Sequence, residues 1–569
     1  MNIFRNKRTA LGCLLVVSAL LFQQSATAQY PRISSEVAAE ANRRKADSDK
    51  RSDEAFAQAM PAIKEWEAKG KPYLPGAARP EDLPQAKIPA FPGAWGGGMY
   101  SFGGRGGKVY VVTNLNDSGP GSFREACEAG GPRIVVFNVG GIIRLKERIR
   151  IRAPYITIVG NTAPGDGVCI AGDTVELETH DVVIRHMRFR RGETWVGDRN
   201  DSIGGNPIGN IMIDHVSASW GLDENMSMYR HMHDHDNDPS TPSLKLPTVN
   251  ITIQNSIFSE CLNIYHHSFG STIGGLNSTF HHNLWANNAG RNPSVGMIGD
   301  FTFVNNVLFN WVHRTVDGGD HRSLFNIINN YLKPGPATPS GQPISYRLLK
   351  PESERSRTVV DNFGKAYVNG NIVQGNEKVT ANNWDGGVQP EVRSNALETV
   401  LMQIRVNEPI PHAPLQIEPA DKAYETVLLN AGATRPKRDA IDQRVIRSVH
   451  TGKVSAKAGP DIEAELGKVG YSRETIAKII ELIPKGIITD PSQVGGYPIY
   501  YGKPYKDSDS DGMPDEWETH YGLDPNDPAD ASADMNGDGY TNIEYFIYGL
   551  APNAPKVDWT DLKNNIERR

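Results

Sequence analysis

Residues 201–371 contain a short alternating apolar segment that ends in polar residues and then recurs along the chain. An alternating strand followed by a polar corner, repeated roughly every 22–28 residues with two longer excursions, is typical of a solenoid. The six copies are Ile211–Val216, Ile251–Ser256, Ser278–Asn283, Phe301–Asn306, Phe325–Asn330 and Ala366–Asn371.

The sixth position of this repeat is polar in five of the six copies: Ser256, Asn283, Asn306, Asn330 and Asn371. Each corner of a solenoid needs hydrogen-bond partners for its backbone, and a stack of polar side chains from neighbouring copies supplies them. The pattern therefore predicts an all-β fold, a right-handed parallel β-helix. We place it over residues 91–375.

The N-terminus has the pattern of a secretory signal peptide. Arg5, Lys7 and Arg8 precede an apolar run from Ala10 to Phe22, and residues 26–28 read Ala-Thr-Ala, a cleavage site. We therefore assign residues 1–28 to a signal peptide and expect an exported protein, whether secreted, periplasmic or held at the cell surface. The apolar run is too short to span a membrane, and no later stretch is long enough.

Two further segments flank the predicted β-helix. Residues 29–90 form a leader, with a charged, alanine-rich helix over Glu36–Lys69 and then a proline-rich stretch. Residues 376–505 form a tail that wraps the solenoid, with helices near Ala420–Ala431 and Ser472–Ile483. The charged residues 435–442 between those helices are expected to lie on a solvated surface, and ion pairs against the solenoid are the alternative.

The last segment, residues 506–550, carries a loop that fits the twelve-residue EF-hand pattern. Oxygen donors stand at positions 1, 3 and 5, glycine at position 6 and a glutamate at position 12. The predicted Ca²⁺ ligands, with the carbonyl of the methionine at position 7, are Asp507, Asp509, Asp511, Met513, Asp515 and Glu518.

A second, looser loop follows with Asp534, Asn536 and Asp538, but its glutamate, Glu544, falls one place early. A turn without metal remains the alternative for this loop. We predict that the two loops form a small EF-hand-like or dockerin-like calcium-binding module, which stabilises the protein and takes no part in catalysis.

The overall composition and net charge limit the classes of function that fit this chain. The formal net charge of −6 lacks the basic surplus of a nucleic-acid-binding protein. Charged residues make up 22% of the chain and hydrophobic residues 38%, as in a soluble protein, and 56 glycines with 38 prolines favour a turn-rich β fold. An acidic polymer remains compatible with this charge, because bound calcium ions reverse the local sign.

Several residues with chemical potential fall on neighbouring copies of the repeat. Asp201, Asp223 and Glu224 offer oxygen ligands for Ca²⁺, and Arg291 follows about three copies later. Taken singly, each has a structural explanation, as a turn residue or an ion-pair partner, whereas together they favour a site. The side chains expected to contact a substrate are Trp220, Tyr265, His266 and His267.

Several motifs resemble polysaccharide lyase family 1 of the pectate lyase superfamily. They are Gly103–Gly107, Thr113–Ser122, Asn161–Gly167, Ile213–Trp220 and His281–Pro293. The resemblance covers roughly residues 90–375. It implies a calcium-dependent β-elimination on polygalacturonate or pectin that yields unsaturated oligogalacturonides. Arg291 matches the family's general base, and stabilisation of the developing enolate is the alternative role for it.

The chain also departs from the family pattern. The calcium site there includes two acids spaced four residues apart, whereas Asp223 and Glu224 are adjacent. The family's substrate-binding lysine has no counterpart. A β-helix glycoside hydrolase, which needs two carboxylates on either side of the scissile bond, and a non-catalytic carbohydrate-binding solenoid are the alternatives. We expect a monomer that binds an acidic plant polysaccharide, no nucleic acid and no membrane.

Overall fold

The computed structural model describes residues 33–192, 197–236, 238, 240–353 and 361–554. The predicted signal peptide, residues 1–28, lies outside this range. The central part of the chain is a parallel β-solenoid with three faces, built from sheets of ten, nine, four and four strands, and helical segments precede and follow it. The predicted β-helix is thereby confirmed. In the described residues, no helix is both long enough and apolar enough to cross a membrane.

The first sheet has ten strands in chain order, all parallel. Its register pairs Ile211 with Ile251, Ile251 with Ser278, and Ser278 with Phe301, which are the first positions of the predicted repeat. The strands are β1 Lys108–Val112, β2 Arg133–Phe137, β5 Ile156–Val159, β8 His180–Arg185, β11 Gly209–Asp214, β16 Val249–Gln254, β19 Leu276–His281, β22 Asp300–Val304, β25 Leu324–Ile328 and β28 Lys365–Asn369.

The second sheet contains nine parallel strands. They are β3 Gly141–Arg144, β6 Val168–Ala171, β9 Arg188–Arg190, β12 Ser217–Ser219, β17 Ile257–Ser259, β20 Leu284–Ala286, β23 Val307–Phe309, β26 Tyr331–Lys333 and β29 Ile372–Val373.

The third face is built from two four-stranded sheets. A bridge between Met228 and Ile273 joins them, and an antiparallel hairpin projects from the solenoid at the same level. The strands are β4 Ile149–Ile151, β7 Val175–Leu177, β10 Ile203–Gly205, β13 Met226–Ser227, β18 Thr272–Ile273, β21 Ser294–Val295, β24 Asp317–Gly318 and β27 Lys350–Pro351, with β14 Arg230–His233 and β15 Leu244–Pro247 in the hairpin.

The interior is a continuous apolar stack, because each coil of the solenoid places the same position of its strand beneath that of the next. Ile184, Ile213, Ile253, Phe280 and Phe303 occupy one such column in register, and all are fully buried. Burial of apolar surface at about 25 cal/mol per Å² makes this column a main source of stability.

The predicted polar ladder is present. Asn283 Oδ1 accepts from the backbone N–H of Ser256 at 2.9 Å, and Asn306 does the same for Asn283 at 3.0 Å. Asn330 and Asn371 continue the series at 2.9 Å each. Each corner amide thereby finds an acceptor on the next coil, which satisfies backbone groups that no strand can pair.

Helices cover the first coils. Helix α1 (Ser35–Ala68) begins at the N-cap Ser34, and the short helix α2 is Phe123–Glu128. Arg51 of α1 forms ion pairs with Glu128 at 2.7 Å and Glu147 at 2.8 Å. The predicted helix over Glu36–Lys69 is therefore found, and it is docked against the solenoid.

The tail contains six α-helices. The two predicted helices are present, and the other four were not predicted. Together they are α3 Glu377–Ala381, α4 Leu397–Ile404, α5 Ala420–Asn430, α6 Ala440–Thr451, α7 Ile462–Lys468 and α8 Arg473–Leu482. The first two close the last coil, since Val379, Val400 and Ile404 join its apolar core and Val406 N–H donates to Ala366 O at 3.0 Å.

The expectation of a solvated surface at residues 435–442 holds for residues 435–437, which are exposed, and is wrong for Asp439 and Asp442, which form the alternative ion pairs with the solenoid. Asp439 and Asp442 are buried, and Asp442 is fully so. Both accept hydrogen bonds from Arg190 Nη2, at 2.9–3.0 Å. The physical reason is that Arg190 is itself fully buried on strand β9, and a buried charge needs buried counter-charges.

The C-terminal segment packs on the outer face of the first sheet. Its helices are α9 (Asp515–Tyr521) and α10 (Asn542–Tyr548). Arg105 Nε binds Glu544 at 2.8 Å across the contact. The buried apolar residues that join the segment to the sheet are Ile134, Val136, Val159, Met513, Ala531, Ile543 and Ile547.

Candidate functional site

A groove of about 330 Å³ opens on the third face, where strands β10, β13 and β18 lie side by side. It brings together the four residues for which the sequence predicts central chemistry: Asp201, Asp223, Glu224 and Arg291. The other residues that line it are Thr174, Glu176, Arg199, Asn200, Gly204, Gly205, Asn206, Ser227, Tyr229, Arg230 and Thr272.

The strand register places these residues at one corner of the solenoid. Asp201 and Glu224 each precede a paired strand by two residues, since Ile203 pairs with Met226. The Glu224 backbone N–H donates to Asp201 Oδ1 at 3.1 Å. Arg291 adopts a left-handed backbone conformation with φ of +50°, which bends the chain just before β21.

Arg291 forms an ion pair with Glu224 through Nη1 and Oε1. Glu224 also accepts from Thr272 Oγ1 at 2.5 Å and from Ser227 Oγ. Burial opposes the charge of Arg291, but Glu224 and Asp223 outweigh it and raise the pKa of the guanidinium. Paired with Glu224, Arg291 is therefore a cation.

The groove holds a surplus of negative charge. Burial, together with Glu224 and Asp223, raises the pKa of Asp201 well above its usual range. Burial also opposes ionisation of Asp223, but its hydrogen bond to His267 and the nearby charges of Arg291 and Arg199 lower its pKa. Carboxylates that face one another in this way fit a hard cation with oxygen ligands.

Comparison with known proteins identifies the family. No family model matches the chain. It is 34% identical over 478 residues to the probable pectate lyase C of Aspergillus fumigatus, covering 82% of this chain and 94% of that protein. It is 35% identical over 476 residues to the protein of the same name from Aspergillus terreus, with the same coverage. The chain belongs to the pectate lyase family.

This family assignment makes the protein a polysaccharide lyase. The matched share of the chain is larger than residues 91–375 alone, so the likeness extends beyond the β-helix to which the sequence motifs confined it. Among solved structures, a pectate lyase bound to a hexasaccharide aligns with 15% identity and a TM-score of 0.40, covering 62% of this chain and 99% of that one.

Two of the predicted substrate contacts of this lyase are wrong. Trp220 is fully buried, its Nε1 donates to Glu260 Oε2 at 3.1 Å, and its ring lies 5.0 Å from that of Tyr497. Tyr265 is 1% exposed within the same apolar cluster. The reason is the tail, which covers both rings and leaves no room for a sugar.

The two histidines have different environments. His267 is 1% exposed, and its Nδ1 is hydrogen-bonded to Asp223. It therefore orients a groove carboxylate and is closed to substrate. His266 is exposed, with a left-handed backbone conformation at φ +57°. Of the four predicted contact residues, His266 alone is open to a ligand.

Sequence reasoning missed two arginines of the groove, Arg199 and Arg230. Arg230 Nε donates to Asn206 Oδ1 at 3.3 Å. Guanidinium groups suit carboxylate recognition, so these residues give the groove two cationic groups in addition to Arg291. The only available signal was position, since Arg199 stands two residues before Asp201.

The C-terminal segment of the lyase contains a second acidic cluster. Asp507, Asp509 and Asp511 have oxygens within 4.8 Å of one another, and so do Asp511, Glu518 and Asp530. Glu518 is fully buried, and neither of its carboxylate oxygens has a hydrogen-bond partner. Buried oxygens without donors are costly unless a cation binds them, so this donor set fits a divalent ion.

The cluster differs from the predicted loop in its membership. Asp530, which the sequence did not suggest, joins it from the following turn. Asp515 is not part of this cluster. Its carboxylate accepts a hydrogen bond from the Ser508 N–H at 2.7 Å and forms an ion pair with Lys506 at 2.6 Å. The Met513 side chain is buried in the contact with the solenoid.

The second loop has its own internal donors. Asp534 accepts from the N–H groups of Gly537 and Gly539 at 2.6 and 2.9 Å. Asn536 and Asp538 are both hydrogen-bonded to the Tyr545 hydroxyl. The described residues place no cluster of three acidic side chains at this loop, which favours the alternative of a turn without metal.

Proposed function

We propose that the protein is an exported, calcium-dependent pectate lyase that cleaves polygalacturonate or pectin by β-elimination. The observation that carries the proposal is the groove, in which Arg291 lies against Glu224 beside Asp201 and Asp223. Ca²⁺ is the cofactor that these oxygens suit. The predicted signal peptide at residues 1–28 supports export, and we propose a monomer as the working form.

In this proposal the groove binds the acidic sugar through its charged side chains. Asp201, Asp223 and Glu224 hold the cation, while Arg199 and Arg230 receive carboxylates of the polymer. Bound calcium would pair with the C6 carboxylate and draw electron density away from C5, which makes its proton removable. The exposed His266 is proposed as a further contact of the sugar.

Arg291 is the proposed catalytic residue. The proton at C5 goes to the base, its electron pair forms the C4–C5 double bond, the C4–O bond breaks, and the leaving oxygen takes a proton from water. Glu224 raises the pKa of Arg291 in the ligand-free groove, so Arg291 acts as a base only if Glu224 turns away from it. While the pair persists, Arg291 stabilises the developing enolate instead.

The alternative of a glycoside hydrolase has less support. Hydrolysis needs two carboxylates on opposite sides of the scissile bond, whereas Glu224 binds Asp201 through its backbone N–H and both stand at one corner of the solenoid. A non-catalytic binding protein would retain the groove without releasing product, and the same assay separates all three functions.

The test is ultraviolet absorbance of polygalacturonate incubated with the mature protein. We expect a rise from the unsaturated product that requires Ca²⁺ and disappears with chelator or with Arg291→Ala. Arg322→Ala, an exposed arginine paired with Asp320 at 2.9 Å, is the matched control and should retain activity. New reducing ends without absorbance would indicate a hydrolase, and neither signal would indicate a binding protein.

We also propose a second Ca²⁺ site in the C-terminal segment. Its ligands are Asp507, Asp509, Asp511 and Glu518 from the EF-hand-like loop, with Asp530 from the next turn; the Met513 carbonyl remains a proposed ligand. The unpartnered buried oxygens of this set support the assignment. The role is structural, because the cluster lies where the segment packs on the first sheet.

A further inference from the structure

A column of arginines runs along the third face beyond the groove. Ser294, Asp317 and Lys350 are register partners on strands β21, β24 and β27. Arg291, Arg314 and Arg347 each stand three residues before one of these partners. The solenoid therefore repeats an arginine at one corner on three consecutive coils, and Arg291 of the groove is the first of them.

Two neighbouring arginines of the column, Arg291 and Arg314, lie near the same aromatic ring. The guanidinium carbons of Arg291 and Arg314 lie 4.4 and 5.8 Å from the centre of the Phe269 ring. Arg314 Nε binds Asp317 at 3.2 Å, and the Arg314 side chain is 35% exposed. The guanidinium group of Arg314 thus contacts the ring and one carboxylate, and part of its side chain remains exposed to solvent.

Arg347 is hydrogen-bonded to a neutral side chain. Its Nε donates to Gln389 Oε1 at 2.8 Å, and no carboxylate of the described residues lies within ion-pair distance of it. The two nearby acids have cations of their own, since Asp317 binds Arg314 and Glu391 binds Lys350 at 3.0 Å. Burial lowers the pKa of Arg347. A half-buried guanidinium without a counter-charge is suited to an anionic ligand.

We propose that Arg314 and Arg347 bind carboxylates of successive uronate units, and so extend the groove from Arg291 toward the C-terminal coils. Neighbouring strands are about 4.8 Å apart, so the column presents one guanidinium at roughly that interval. A polyuronate likewise carries one carboxylate on every sugar. The inference rests on the proposed function, because it takes the groove at Arg291 to be where such a polymer is cleaved.

The experiment compares wild-type protein with the double variant Arg314→Ala/Arg347→Ala on polygalacturonate and on the galacturonate trimer. We expect KM for the polymer to rise roughly tenfold, because two partly exposed charge pairs of modest strength are lost together. KM for the trimer should rise less, because a trimer cleaved at Arg291 keeps one sugar on the other side of the scissile bond and so reaches Arg314 but not Arg347. The salt dependence of KM should also become weaker.

Two further variants separate binding from structure. Arg314→Lys/Arg347→Lys retains both charges and should restore most of the polymer affinity. Arg322→Ala removes an arginine of the same coils that lies off the column and is paired with Asp320, so its KM should match wild type. An unchanged polymer KM in the double alanine variant, or an equal rise for the trimer, would overturn the proposal.

Failure of the proposed function gives a different result. If wild-type protein releases no unsaturated product, the lyase assignment fails, and the column is then tested by calorimetric titration with polygalacturonate. Weaker binding of the double alanine variant than of Arg322→Ala would support the column on its own. Equal binding by the two would reject it.

Discussion

Arg291 and Glu224 are 67 residues apart in the chain and form an ion pair in the groove. Glu224 has further partners, because its carboxylate also accepts hydrogen bonds from the Thr272 and Ser227 hydroxyls. A carboxylate with three donors keeps a fixed orientation, and a cation that competes for it changes the state of Arg291. Under the proposed function, the two residues would couple Ca²⁺ binding to the protonation of the proposed catalytic group.

This coupling predicts the behaviour of Glu224→Gln. The variant loses a metal ligand and the counter-charge of Arg291, so kcat/KM should fall on the order of 100-fold and the Ca²⁺ concentration for half-maximal rate should rise. Initial rates of absorbance change across a calcium series measure both. Glu425→Gln, an exposed residue paired with Lys422, is the control, and an unaltered calcium requirement in Glu224→Gln would contradict the assignment.

At the scale of elements, the asparagine ladder joins the coils. Asn306 accepts from the Asn283 backbone N–H at 3.0 Å and donates through Nδ2 to Phe280 O at 2.9 Å. Removing the side chain leaves both groups buried without partners.

Asn306→Ala should therefore lower the free energy of unfolding by about 2–3 kcal/mol. Denaturant unfolding followed by circular dichroism measures the loss. Asn369→Ala removes an exposed asparagine that binds only the Tyr367 hydroxyl, at 3.1 Å, and should cost much less. Equal losses in the two variants would mean that the ladder adds nothing beyond local packing.

The wrapping tail depends on the buried charges at Arg190. Burial opposes ionisation of Asp439, but Arg190 and Arg188 outweigh it and lower the pKa of its carboxyl. A carboxyl whose folded-state pKa is depressed stabilises the fold above its unfolded pKa of about 3.9 and loses that contribution as the pH falls through the folded value.

We therefore expect the thermal midpoint to fall as the pH drops below about 4. Asp439→Asn should be less stable than wild type near neutral pH, with a smaller further loss in acid. Calorimetry between pH 3 and 7 tests this expectation. If the two proteins had parallel pH profiles, another group would be responsible.

The repeat of the first sheet was predictable because its signal is local: alternation within each strand and a polar residue at each corner. The groove acids were predictable in part, since Asp201, Asp223, Glu224 and Arg291 do meet. The burial of Trp220 and Tyr265 was not, because it depends on tail helices more than 170 residues away in sequence. Asp530 likewise reaches its cluster only through the folded turn.

At the scale of the whole molecule, the C-terminal segment joins the N-terminal coils through an apolar contact and the ion pair of Arg105 with Glu544. The acidic cluster lies beside this contact, and Met513 follows Asp511 by two residues. Without a cation, its carboxylates repel one another: burial with neighbouring acids raises the pKa of Asp511 to about 7 and that of Glu518 to about 8. A bound ion stabilises the docked state by mass action.

Chelation should lower the thermal midpoint by several degrees, and Glu518→Gln should remove most of the stabilisation by added Ca²⁺. Glu516→Gln, an exposed residue of the same helix α9, is the control and should respond to calcium as wild type does. Arg291→Ala should also keep this response, which separates the structural site from the groove. A thermal midpoint of the wild-type protein that does not change when calcium is added or removed would contradict the second site.

The covered ends of the solenoid bear on how the molecule behaves at high concentration. A stack of parallel strands has open hydrogen-bonding edges at its first and last coils, and such edges recruit strands of other molecules. Helix α1 lies over the first coils, and α3 and α4 with Val406 lie over the last. Removing the helices at either end would expose unpaired strand edges and favour end-to-end association into fibres. The helical segments therefore protect the protein from polymerisation.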